Sequence, residues 1–185
     1  MVTGSIEGSV LHDQNYRFTI PPNPGLEGRI EVTSEDVVTA ARRLSSQNAV
    51  ILNFASAKNV GGGWTGNARA QEESIMRSSA LYASVRTHLR YYQYNRNQSL
   101  LYSDNMIYSP NVPFFRDGRE RLIDEPFQVS VITAPAVNAG AMNRHNNHGE
   151  TSQVYPVMLE RCRKILCCAI EHGHRTITLG AYGCG

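Results

Sequence analysis

Two short runs in this chain carry residue types that could do chemistry together. They are Gly61-Gly62-Gly63 and, after a gap of seven residues from Trp64 to Ala70, Gln71-Glu72-Glu73. Three adjacent glycines leave the backbone bare and reach positive φ, so their N–H groups can turn toward an anion or a sugar. No Gly-Lys-Ser/Thr follows, which excludes a P-loop. The paired acids fall at the expected start of a helix. Consecutive helical residues point about a third of a turn apart, so two carboxylates there can take different tasks. Their mutual repulsion raises one pKa, as a general acid working near neutral pH requires. The helix dipole opposes that shift, so burial or the neighbouring charge must win. Each run alone has a plainer reading: a flexible loop, and acids that complement a helix dipole.

The elements that must position these runs follow from periodicity. Thr33 and Ser34 read as N-cap residues with Glu35 and Asp36 in the first turn, and Val37, Ala40, Ala41 and Leu44 recur at helical spacing. This predicts a helix over 34–47. The apolar run 49–55 predicts a buried strand leading into the glycine loop. A second helix is expected over 70–90. Strands are expected at 104–109 (ended by Pro110), at 127–134 (ended by Pro135) and at 175–180. Asp117-Gly118 reads as a turn, 138–150 as a polar loop and 152–172 as a helix. Residues 1–30, with Pro21, Pro22, Pro24 and Gly25, read as an arm or irregular lead-in. Strands alternating with helices make this an α/β domain. Three expected strands end in polar or glycine-bearing loops: 56–63, 135–140 and 180–185. Ligands of open α/β sheets sit at such carboxyl ends.

Composition narrows the function further. The chain has 185 residues, enough for one domain, with 41% hydrophobic and 18% charged residues and a net charge of +2. That balance argues for neither nucleic acid nor membrane as a partner, so an anionic ligand must be recognised by local geometry. Cys162, Cys167, Cys168 and Cys184 form no CxxC pair and read as reduced core cysteines of an intracellular protein. No signal-peptide pattern and no membrane-spanning apolar run are evident. His145 with His148 and His172 with His174 are pairs far apart in sequence, read as solvated loop histidines, so neither a metal nor a cofactor is expected. Arg42-Arg43 and Arg161–Lys164 read as helix surfaces, and Tyr91, Tyr92 and Tyr94 as packing residues. Cys184 lacks an evident His/Asp partner for nucleophilic work.

The run from Asn53 through Gly61-Gly62-Gly63 to Gln71-Glu72-Glu73-Ser74 resembles the microbial-type poly(ADP-ribose) glycohydrolases. The likeness continues in Leu101-Tyr-Ser-Asp, Met106-Ile-Tyr-Ser-Pro-Asn-Val-Pro-Phe-Phe-Arg-Asp, Val131-Ile-Thr-Ala-Pro-Ala-Val-Asn-Ala-Gly and Leu179-Gly-Ala-Tyr-Gly-Cys-Gly. It covers roughly residues 33–185, read as one domain over 31–185. The resemblance implies a macrodomain-like mixed sheet flanked by helices, binding ADP-ribose or poly(ADP-ribose). It implies Glu73 as the catalytic acid and base, Glu72 holding the ribose hydroxyls, and Gln71 supporting the pair. Gly61, Gly62 and Gly63 would wrap the terminal ribose and diphosphate, and Ala181, Tyr182, Gly183, Cys184 and Gly185 would belong to a second diphosphate loop. Ser56 would lie near the distal ribose. Within Val112–Phe115, Phe114 would approach the adenine.

The implied activity is hydrolysis of the ribose–ribose bonds of poly(ADP-ribose), releasing ADP-ribose. The alternatives are a non-catalytic ADP-ribose reader and a hydrolase of mono-ADP-ribosylated targets, with ADP-ribosylated proteins as partners. Members of the family continue beyond the Gly-Cys-Gly segment with further elements of the sheet. The sequence therefore reads as incomplete at its C-terminus, a fragment or a chain completed by a homo-oligomer or a second chain.

Overall fold

The computed structural model describes residues 2–19, 28–144 and 148–184, without the side chains of Asn143 and His148. Pro21, Pro22, Pro24, Gly25, His145 and Gly185 lie outside the described residues. The core element is β2 (Ala49–Ala55), all but one of whose seven residues are buried. Its continuous apolar run follows from being covered on both faces. Alternation along the strand sends Ile51 into a cluster with Val38 and Ile75. It sends Val50 and Leu52 into a second cluster with Ile132, Ile165 and Cys168. The first cluster holds α2 (Val37–Leu44) and α3 (Gln71–Ser78) against the sheet, and the second holds α7 (Val154–Glu171).

Among the described residues five strands form one mixed sheet in the order β1-β3-β4-β2-β5. The others are β1 (Val10–His12), β3 (Met106–Arg116), β4 (Leu122–Pro135) and β5 (Thr176–Thr178). β2 runs parallel to both β4 and β5, so these three bring their carboxyl ends to one edge. The pairs β1–β3 and β3–β4 are antiparallel. Among the described residues no helix is long and apolar enough to cross a membrane.

Several elements differ from the sequence expectation, each for a physical reason. The first residues form a helix, α1 (Val2–Glu7), and then β1, rather than an irregular lead-in. Ser5 is buried with its hydroxyl 3.1 Å from that of Ser84, and Val10 pairs with Tyr108. Asp36 is the N-cap of α2, accepting from the N–H groups of Val38 and Thr39. The expected helix over 70–90 is three pieces: α3, α4 (Leu81–Val85) and α5 (Leu89–Arg96). The chain breaks at Ser79, whose backbone is extended and bridges Phe114 of β3. Its hydroxyl donates to Ile75 O at 2.7 Å and the next N–H, Ala80, donates to Pro113 O at 2.9 Å. A tertiary strand contact thus overrides local helical propensity.

β3 continues past Pro110 because its register shifts between Ser109 and Val112, where Asn111 sits at φ 46°. The proline occupies this bulge, where no ladder bond is lost. The expected polar loop 138–150 contains α6 (Ala139–Arg144) and a 3-10 turn from residue 148 to 153. Asn138 starts α6 by accepting the Ala141 N–H on its side chain at 2.9 Å.

Candidate functional site

The carboxyl ends of β2 and β4 and the segment after β5 border a cleft of about 580 Å³. Its wall includes Ser56, Glu72, Glu73, Tyr102, Asn138 and Gly183. A larger groove of about 780 Å³ lies along β5 and α2, walled by Arg29, Glu31, Arg43 and Arg175 among others, and contains neither glutamate of the pair.

The placement of the pair begins with Gln71. β5 pairs with β2 only at Ala49, Val50 and Ile51. Beyond that point the side-chain amide of Gln71 takes over the edge, accepting from Phe54 N at 2.9 Å and donating to Leu52 O at 2.7 Å. One amide side chain stands in for a strand's peptide group, and the first residue of α3 is keyed to the sheet.

Glu72 and Glu73 are both buried. Glu72 Oε2 accepts from Ser56 N at 2.7 Å, and its Oε1 lies 3.4 Å from Asn53 Nδ2, which donates. Burial pushes the Glu72 carboxyl up to about 8, and the Glu73 charge adds to the shift against the bonds from Ser56 and Asn53. The acid whose pKa burial raises is thus the first of the pair. Glu73 accepts on Oε1 from Gly63 N at 2.9 Å and on Oε2 from Ala70 N at 3.0 Å. The second bond satisfies the backbone N–H of the N-cap Ala70, whose methyl side chain cannot cap the helix in return, so Glu73 both starts the helix and meets the glycine loop.

Gly62 has φ 64°, and a Cβ built on it would lie 2.4 Å from Glu73 Oε1 and 2.7 Å from Glu72 Oε2. The bare backbone therefore packs directly onto both carboxylates. Gly62→Ala is expected to displace the pair and lower activity by at least about tenfold, since small misplacements at a reacting centre are costly. Steady-state kinetics beside circular dichroism would check it; wild-type turnover in a folded variant would contradict the packing argument.

The structure brings most sequence-predicted residues together. Ser56 lines the cleft, and its hydroxyl accepts from Lys58 N and Asn59 N to shape the loop. Ala181, Gly183 and Cys184 line it as well. Tyr182 turns inward, its ring 5.6 Å from Phe54 and its hydroxyl donating to Pro135 O at 2.5 Å, so it holds the loop rather than facing the cleft. Phe114 is not at the cleft: it is fully buried and stacked on Phe127 at 5.1 Å, with no face open to an adenine.

Other readings change too. Arg161 is no surface residue: it is 1% exposed and donates to Asp104 Oδ1 (2.9 Å), Pro135 O (2.9 Å) and Leu101 O (3.0 Å). It fastens α7 to the two loops that carry Tyr102 and Asn138. Cys162 is exposed, whereas Cys167 and Cys168 are buried. His172 and His174 are not free in solvent: the first stacks on Tyr108 at 3.6 Å and the second meets the Tyr108 hydroxyl at 2.8 Å. Sequence reasoning missed Asn53 and Arg161. The available signals were a polar residue inside the apolar run of β2, and an arginine on the apolar stripe Met158, Ile165 and Cys168.

Comparison with known proteins agrees with this geometry. The family described as microbial-type PARG, catalytic domain, matches residues 1–117. The poly(ADP-ribose) glycohydrolase of Thermomonospora curvata is 40% identical with a TM-score of 0.90, over 100% of this chain and 69% of that one. Its structure with the inhibitor ADP-HPD is 39% identical with a TM-score of 0.87, over 100% and 68%. The poly(ADP-ribose) glycohydrolase of Deinococcus radiodurans in complex with ADP-ribose is 38% identical with a TM-score of 0.89, over 100% and 77%. No curated protein matches. With a carboxylate pair locked beneath a glycine loop on this sheet, the chain belongs to the microbial-type poly(ADP-ribose) glycohydrolases, a family of glycosidase-type hydrolases.

Proposed function

We propose that this chain hydrolyses the ribose–ribose O-glycosidic bonds of poly(ADP-ribose) and releases ADP-ribose, with Glu73 as acid and base. The observation that carries the reading is the buried carboxylate pair held by backbone donors at the cleft wall, with Gly62 packed against both oxygens. The relatives support the ligand: structures of this family hold ADP-ribose and ADP-HPD.

In this mechanism the protonated form of Glu73 gives its proton to the leaving ribose oxygen and becomes a carboxylate. Positive charge then develops at the anomeric carbon, stabilised by the substrate's own diphosphate. The resulting Glu73 carboxylate takes a proton from water as it attacks. A single residue serves as acid and then base, unlike the two-carboxylate scheme of most glycosidases. Glu72, whose pKa is raised by burial, holds the ribose hydroxyls. The glycine loop and the segment 181–184 close on the diphosphate with backbone N–H groups.

Automodified polymer provides the test. Release of ADP-ribose, together with calorimetric binding of free ADP-ribose, is the expected result. Binding without release would replace the enzyme with a reader.

The raised pKa of Glu72 also predicts a pH dependence. Between the ordinary 4.5 and about 8 the unfolded chain gives up this proton while the folded chain keeps it. Stability from this group is therefore full below pH 4.5, declines as pH rises through that window and levels off above 8. Urea midpoints of Glu72→Gln should lack this decline, so the variant should gain on the wild type at pH 8. Parallel curves for the two proteins would refute the assignment.

A further inference from the structure

We propose that His12, Cys168 and His172 form a binding site for a divalent transition metal of the zinc type, separate from the cleft. One ligand atom from each lies within 4.8 Å of the others. His12 Nε2 and His172 Nε2 face each other at 2.9 Å, although the residues are 160 apart in sequence. Zinc bonds of about 2.0–2.1 Å to nitrogen and about 2.3 Å to sulfur in a tetrahedron put ligand atoms about 3.3–3.7 Å apart. Opening the imidazole pair by a few tenths of an ångström and rotating the Cys168 side chain inward satisfies that geometry. Imidazole and thiolate together are the ligand chemistry that selects zinc-like ions over magnesium or calcium.

The surroundings suit an ion. His12 and Cys168 are buried and His172 half-buried. Tyr16 and Phe18 pack on His12 at 4.4 and 5.0 Å, and Tyr108 covers one face of His172, so ring orientations are fixed. On binding, each histidine offers Nε2 and carries its proton on Nδ1. The Cys168 thiol releases one proton to solvent as its sulfur becomes a ligand. The ion and thiolate then leave one net positive charge. The Glu171 carboxylate, which acts electrostatically on both histidines, balances it. Glu171 is itself anchored by Tyr16 Oη at 2.5 Å and Thr19 N at 2.7 Å. Three protein ligands leave a fourth position for water. Such an ion would fasten the start of the chain to the end of α7.

The test uses the untagged protein, stripped with chelator and loaded with Co²⁺. The expected result is about one bound equivalent after gel filtration, with intense tetrahedral visible bands and a thiolate-to-cobalt charge-transfer band. Zn²⁺ should displace it and raise the melting temperature by mass action. Cys168→Ser should lose the charge-transfer band, and His172→Ala should lose retention. The proposal is overturned if the wild-type protein retains neither ion. It is equally overturned if cobalt shows no thiolate band, or if the band persists in Cys168→Ser. The first of these outcomes would mark His12 and His172 as a plain imidazole hydrogen bond.

Discussion

Glu73→Gln is expected to lower polymer hydrolysis by about 10²–10⁴-fold, the range that a positioned acid–base group contributes. Affinity for free ADP-ribose should stay within a few-fold. The isostere fills the same space between Gly63 N and Ala70 N but cannot give up or take a proton. An amide offers one acceptor oxygen where the carboxylate offers two, so one of these N–H groups loses its partner at a cost of about 1 kcal/mol. That cost falls on the start of α3 and should appear as a small drop in melting temperature, not as lost binding. Radiolabelled polymer turnover beside calorimetry separates the two effects. Retained turnover would move the acid–base role away from Glu73, and lost binding would recast it as a ligand holder.

Arg161→Ala is expected to destabilise the fold by about 3–5 kcal/mol, the usual cost of removing one partner of a buried ion pair. Much of the loss comes from what stays behind. Leu101 O would lose its guanidinium donor, Pro135 O would retain the Tyr182 hydroxyl, and Asp104 would retain Lys164 at 2.8 Å. Because those carbonyls border the loops of Tyr102 and Asn138, the cleft wall should loosen along with the core. Urea denaturation gives the energy, and kcat/KM at a temperature where the variant is folded gives the second effect. A loss below about 1 kcal/mol would mean that water replaces the side chain without strain.

What the sequence made legible was what local pattern controls. The run of β2, apolar but for Asn53, announced a strand covered on both faces, and its bounds agree with the structure. The Asp117-Gly118 turn and the long final helix were readable for the same reason. The site was legible as two runs because a glycine loop and an acid pair need particular residue types. What stayed hidden depends on partners distant in sequence. Ser79 ends a helix only because Phe114 and Pro113 offer it a strand edge. β3 passes through Pro110 only because β4 accommodates the shift in register. Arg161 looks like any solvated arginine until Asp104 and two carbonyls surround it. The raised pKa of Glu72 likewise needs the burial that the fold creates, which adjacency to Glu73 alone does not supply.

The amide of Gln71 on the edge of β2 leads to one more consequence. Because the first residue of the helix is docked on Leu52 and Phe54, the carboxylates take their coordinates from the sheet and not from the segment that precedes them. Within that segment, Gly63 at the near end and Ala70 at the far end meet Glu73. Trp64 packs on Tyr82 at 5.0 Å, and the residues that remain, Thr65 to Arg69, span two fixed anchors. Closing a loop costs little more when a residue is added. Evolution is therefore free to lengthen, shorten or recolour that stretch around new polymers or partners while the reacting groups stand still.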